Sequence, residues 1–185
     1  FILEKLPEAP KFDWKIKAGP GLSSAVVNKD VAVLFDAEGK QEVLRAVDRA
    51  SGKEIWRAEI DEAFHDSQGP DGPRGTPIID GDRVYAVSCR GQLDCRSVKD
   101  GKRIWGVNFA EFGVEFIGEK GKAPGAVRHG NNGTPLVAGE RLYACVGGEG
   151  AGVVCFDKNN GKVIWQSQDD QAAYAGPVLA QLAGA

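Results

Sequence analysis

The residues that could do chemistry are few and fall in two stretches. His65 and His129 are the only histidines, and each sits in a long segment that also holds an arginine ahead of a Gly-Thr-Pro run. Arg74 precedes Gly75-Thr76-Pro77, and Arg128 precedes Gly133-Thr134-Pro135. A guanidinium presents a planar fork of donors that suits a carboxylate. On one reading, Arg74 and Arg128 hold an anionic group that His129 or Asn132 orients, with His65 in the same ligand-facing set. On the other, these residues close their own loops by pairing with Asp66, Asp71 or backbone carbonyls. His65-Asp66 is not read as a catalytic dyad, because loop neighbours rarely orient each other and no nucleophile accompanies them.

Other reactive types give weaker patterns. Cys89, Cys95, Cys145 and Cys155 include no Cys-x-x-Cys and no zinc-like Cys/His spacing. Cys95 and Cys155 precede the equivalent turn glycines Gly101 and Gly161 by the same interval, which suits a small core residue. Cys145 and Cys155 flank one expected hairpin and could be cross-strand neighbours, so a bridge between them stays open. Asp61-Glu62 and Asp169-Asp170 read as solvated loop charges, and no metal site is expected. Gly118-Glu119-Lys120-Gly121-Lys122 lacks the phosphate-binding pattern GxxxxGK[ST].

The elements that must position these residues are repeated. Leu44 to Trp56, Leu93 to Trp105 and Val153 to Trp165 align, sharing a polar turn followed by Gly-Lys-x-Ile-Trp. The turn glycines Gly52, Gly101 and Gly161 can take positive φ. The Trp and Ile that follow fall on opposite faces of a strand. Trp56, Trp105 and Trp165 are therefore expected to dock on neighbouring sheets as core rather than to bind sugars. An upstream hairpin also recurs: Gly75 to Tyr85 matches Gly133 to Tyr143, with a looser copy from Ser23 to Val33.

Each unit then holds four strands, A to D. The first is read as 23–28, 30–36, 42–48 and 53–59. The second is 75–79, 83–88, 92–98 and 102–108. The third is 133–138, 141–146, 152–157 and 162–167. The expected fold is all-β, a β-propeller of four-stranded antiparallel blades at about 23–60, 75–108 and 133–167. Residues 11–17 resemble a D strand closing the last blade, and 175–181 resemble the first strand of a further blade. The chain, 1–185, is thus read as the N-terminal part of one larger propeller domain with seven or eight blades. Open blade edges would allow self-association.

Composition limits the function. Lys plus Arg number 23 and Asp plus Glu 26, a net charge of -3, which is a poor electrostatic match for nucleic acid. No apolar run approaches the ~20 residues of a membrane-spanning helix. The chain has 25 glycines and no methionine, which suits a turn-rich fragment or a processed secreted protein.

The spacing Asp-x-x-x-Gly-Lys-x-x-Trp, seen at Asp48 to Trp56 and Asp157 to Trp165, resembles the tryptophan-docking motif of quinoprotein-type propellers. The second copy departs, with Val98 read at the Asp position. With the Gly-Thr-Pro starts and the Arg-Val-Tyr and Arg-Leu-Tyr strands, the chain from about Trp14 onward resembles the PQQ-like β-propeller repeat family. That family holds PQQ- and calcium-dependent dehydrogenases and non-catalytic relatives, including an outer-membrane assembly lipoprotein. The resemblance implies a periplasmic or secreted bacterial protein. Its dehydrogenases carry an adjacent Cys-Cys pair that this sequence lacks, so no cofactor and no catalytic residue is expected. The leading expectation is a non-catalytic extracytoplasmic scaffold that binds a protein or small polar ligand on its D–A loop face. The alternative is a PQQ/calcium quinoprotein oxidoreductase acting on alcohols or sugars. A third possibility is a propeller whose faces only join subunits.

Overall fold

The computed structural model describes residues 9, 11–66, 69–114, 129–172 and 174–180. Among these described residues, twelve strands form three four-stranded antiparallel sheets. Blade 1 holds β1 (Val26–Val27), β2 (Val31–Glu38), β3 (Gln41–Asp48) and β4 (Glu54–Glu62) in that spatial order. Blade 2 holds β5 (Ile78–Asp80), β6 (Arg83–Val87), β7 (Gln92–Ser97) and β8 (Arg103–Asn108). Blade 3 holds β9 (Leu136–Ala138), β10 (Arg141–Cys145), β11 (Val153–Asp157) and β12 (Val163–Ser167). A short 3-10 helix, Phe109–Phe112, follows blade 2. No helix among the described residues is long and apolar enough to cross a membrane.

The middle strands β2, β3, β6 and β11 carry β-branched and aromatic residues and are buried over most of their length, while β7 and β10 each bury a shorter stretch. Stacking the sheets creates two cores. Val33, Leu44, Trp56, Val84 and Val98 meet between blades 1 and 2. Tyr85, Leu93, Phe109, Leu142 and Phe156 meet between blades 2 and 3.

The repeated turn has one construction. Gly52, Gly101 and Gly161 all take positive φ, 71°, 70° and 73°. Each glycine N–H donates four residues back, to the carbonyls of Asp48, Ser97 and Asp157 at 2.8–2.9 Å. Ser97 therefore holds the place of Asp48 and Asp157, which corrects the alignment of Val98 to that position. Val98 is instead a buried residue of the inter-blade core.

Opposite the tryptophans stand the small residues of the repeat. Ala46 pairs with Trp56, Cys95 with Trp105 and Cys155 with Trp165, and the ladder shifts register directly after each small residue. A fully buried side chain facing an indole has little room, so Ala or Cys fits there and a larger residue would overpack.

The A strands are shorter than the sequence suggests. Proline gives the sheet no N–H in the Gly-Thr-Pro copies, and residues just before the A strands bond sideways to the next blade. Ser24 N–H donates to Thr76 Oγ1 at 3.2 Å, and Thr76 N–H donates to Thr134 Oγ1 at 3.0 Å. Residues 11–17 and 175–180 belong to none of the three sheets. Trp14 nevertheless stacks on Gly52, as Trp56 stacks on Gly101 and Trp105 on Gly161.

Candidate functional site

The D–A segments and the B–C turns gather on one face. After β4 the chain turns through Phe64, which is buried, and Gly72 N–H returns to the Phe64 carbonyl at 2.9 Å. The second D–A segment re-enters at His129. Gly130 takes φ 73°, and a Cβ there would lie 2.8 Å from the Cys89 carbonyl oxygen, so the segment passes tight against the β6–β7 turn. Asn131 N–H donates to the same Cys89 carbonyl at 2.7 Å.

These two segments bring Asp66, Arg74 and His129 together. Arg74 Nη2 donates to Asp66 Oδ2 at 2.9 Å, and His129 Nδ1 lies 2.8 Å from that same oxygen. The Asp66 and Arg74 side chains are 2% and 6% exposed. Arg74 also donates to the Pro70 carbonyl at 3.3 Å. Its fork is thus engaged inside its own loop, in the manner of the pairing alternative. His129 remains half-buried, with its ring 5.7 Å from that of the exposed Tyr174.

The other candidates separate. His65 is exposed and pairs with Asp71 through Nδ1 at 2.8 Å. Asn132 donates to the Gly130 carbonyl at 2.8 Å and so closes its own turn. Arg128 lies outside the described residues. The neighbouring Asn131 carries more structural weight. It is buried, accepts Gly133 N–H at 3.0 Å and donates to the Cys145 carbonyl at 3.4 Å.

Sequence reasoning passed over Glu42 at the start of β3. It is fully buried, and its Oε2 accepts Cys89 N–H at 3.1 Å across the blade 1–blade 2 boundary. Its Oε1 has no partner. Burial pushes its carboxyl up to about 7, against smaller opposing effects from hydrogen bonds with Cys89 and Phe64. A signal existed in the sequence: at the same distance before the turn glycine, the other units carry Gly91 and Ala151.

All four cysteines are free. Cys145 pairs with Val153 and Cys155 with Tyr143, so the two cysteines are diagonal in the ladder, outside the direct pairing that a bridge needs. Burial raises every thiol, Cys95 to about 11 and Cys89 further, which disfavours the thiolate form.

Three sheets of this topology, with an internally paired loop face, define a PQQ-like β-propeller repeat domain. A family profile described as "Outer membrane protein assembly factor BamB" matches residues 14–119 and 39–184. The chain belongs to that family. It is 30% identical over 103 residues to the outer membrane protein assembly factor BamB of Escherichia coli strain K12, a stretch covering 56% of this chain and 24% of that protein. The chain thus spans only about a quarter of that relative's length. A europium-containing methanol dehydrogenase superposes with a TM-score of 0.57 at 15% identity, over 84% of this chain and 26% of that one. The quinohemoprotein alcohol dehydrogenase ADHIIG of Pseudomonas putida HK5 superposes with a TM-score of 0.53 at 18% identity, over 83% and 21%. At such identities these two likenesses establish the fold alone.

Among the described residues no three His, Cys, Asp or Glu side chains converge as a metal site. On the loop face, the buried carboxylate of Asp66 is already shared by Arg74 and His129. Calcium wants six to eight oxygen ligands.

Proposed function

We propose that this chain is part of a non-catalytic β-propeller scaffold of the bacterial periplasm that binds a protein partner through its D–A loop face. The observation that carries the reading is the closure of the Asp66–Arg74–His129 group. Its acid is shared by its guanidinium and His129, while burial raises the thiols, of which Cys145 is the half-buried one. What the face offers outward is binding surface: His129 beside Tyr174, and the exposed His65–Asp71 pair. The name of the Escherichia coli relative, an outer membrane assembly factor, supports both the scaffold role and the envelope location. The repeated Trp, Gly and small-residue positions act as tryptophan-docking elements that keep the scaffold rigid. Residues 11–17 and 175–181 serve as strands of adjoining blades.

The oxidoreductase reading has the fold likeness to alcohol dehydrogenases in its favour and the donor set against it. A photo-crosslinker at His65, in cells of the source organism, tests the choice. Capture of an envelope protein from His65, with none from a crosslinker at Lys162 on the opposite face, is expected. Saturable PQQ quenching of tryptophan fluorescence together with dye-linked dehydrogenase activity would overturn the scaffold reading.

A further inference from the structure

Cys89, in the β6–β7 turn, is tied in three directions. Its N–H donates to Glu42 Oε2 at 3.1 Å, its Sγ donates to the Gly72 carbonyl at 3.2 Å, and its own carbonyl accepts Asn131 N–H at 2.7 Å. Gly72 belongs to the first D–A segment and Asn131 to the second. One turn residue therefore links a buried carboxyl of blade 1 to both segments of the loop face.

Glu42 is closed in by all of its neighbours. Its cross-strand partners are Ala37 on β2 and Asp61 on β4. Gly72 is pressed over Ala37, where a Cβ would lie 2.8 Å from the alanine methyl. Phe64, buried at the start of the first segment, bonds Glu42 through its backbone. Among the described residues no cation pairs with the carboxyl: Arg74 is held by Asp66 and Arg90 by Glu62. The charged group that faces it is the Asp61 carboxylate, which accepts Ser88 Oγ at 2.7 Å. The Cys89 thiol beside it is pushed up by burial.

We propose that Glu42 is a pH-sensitive latch for the D–A loop face. As a neutral acid it leaves Cys89 seated and both segments held. As a carboxylate it releases the Ser88–Cys89 turn, and Gly72 and Asn131 lose their common anchor. The ionised form is ill served where it lies, because Oε1 has no partner and Asp61 repels it. The carboxylate gains by reaching water. What covers it is a turn and a loop rather than the blade core, so the smallest opening that hydrates it is local.

The direction follows from the proton count. Burial pushes the closed carboxyl from 4.5 up to about 7, so the closed form binds the extra proton. Closure is fullest below about pH 4.5, weakens as pH rises, and is weakest above pH 7. The latch itself needs no partner. Its consequence, tighter binding of a protein partner below pH 7, rests on the scaffold reading.

Amide exchange in the full chain, corrected for the intrinsic rate at each pH, reads the latch directly. Protection of Asn131 should fall by about tenfold or more between pH 5 and pH 8, and Glu42→Gln should make it flat. Gly152, whose N–H donates to the Gln168 carbonyl in blade 3, should stay constant in both proteins. Leu44, in the blade 1–blade 2 core, reads global unfolding and should exchange more slowly than Asn131 throughout. A second reading needs no variant: the pH at which Asn131 protection levels off should match the midpoint of the Glu42 carboxyl-carbon resonance. A pH-independent Asn131, a fall that survives in Glu42→Gln, or Asn131 and Leu44 exchanging together overturns the latch and leaves the scaffold reading untouched.

Discussion

Trp56 lies on the α-carbon of Gly101 so closely that a methyl group there would meet the ring at 2.6 Å. Gly101 also has φ 70°, so space and backbone conformation both demand glycine. Gly101→Ala should cost about 2–4 kcal/mol. Gly139 provides the control, with φ 58° and open space beyond its α-carbon. Gly139→Ala should cost only the backbone penalty, about 1 kcal/mol. Urea unfolding of the two variants separates the terms.

Glu42 makes stability fall as pH rises. Its carboxyl lies at 4.5 when unfolded and about 7 when folded, so the folded chain binds more protons between those values. Stability from this group is full below about pH 4.5 and declines through pH 7, by about 3 kcal/mol. Glu42→Gln should remove that decline and leave the variant more stable than wild type at pH 8. Thermal melts from pH 4.5 to 8 give the slope.

Removing Asp66 leaves the buried Arg74 guanidinium without its partner. Asp66→Ala should destabilise by about 3–5 kcal/mol and release the His129 ring, visible as a change in its proton resonances. His65→Ala, at an exposed pair, should stay within about 0.5 kcal/mol. Equal losses in the two variants would contradict the assignment of Asp66 as the hub of this face.

The axial hydroxyls join neighbouring blades. Thr134→Val keeps the shape and deletes the acceptor of Thr76 N–H. A loss of about 1 kcal/mol is expected, with faster exchange of the Thr76 amide.

What was legible in the sequence was what the fold repeats. The glycine turns, the D-strand tryptophans and the small residues facing them recur because each blade meets the same steric demand. Strand positions followed within a few residues. The A strands were over-read because alternation does not reveal that Ser24 and Thr76 bond to the next blade's threonine rather than within a sheet. The site was less legible because it repeats nothing. Arg74 and His129 were found by type and loop position, but their common partner Asp66 joins segments distant in sequence. Asn131 and Asn132 look alike in sequence, and only the tight passage at Gly130 turns Asn131 inward. Glu42 repeats nothing either, since the other units carry Gly91 and Ala151 at the same distance before the turn glycine.

Hydrogen exchange at the four indole Nε1 positions tests the central claim, that the units are joined in series by tryptophans on glycine turns. Trp56 and Trp105 should exchange slowly, Trp14 should be protected through its bond to the Arg49 carbonyl, and Trp165 should exchange fastest. A Trp165 indole as protected as that of Trp56, or a Trp56 indole as open as that of Trp165, would contradict the account.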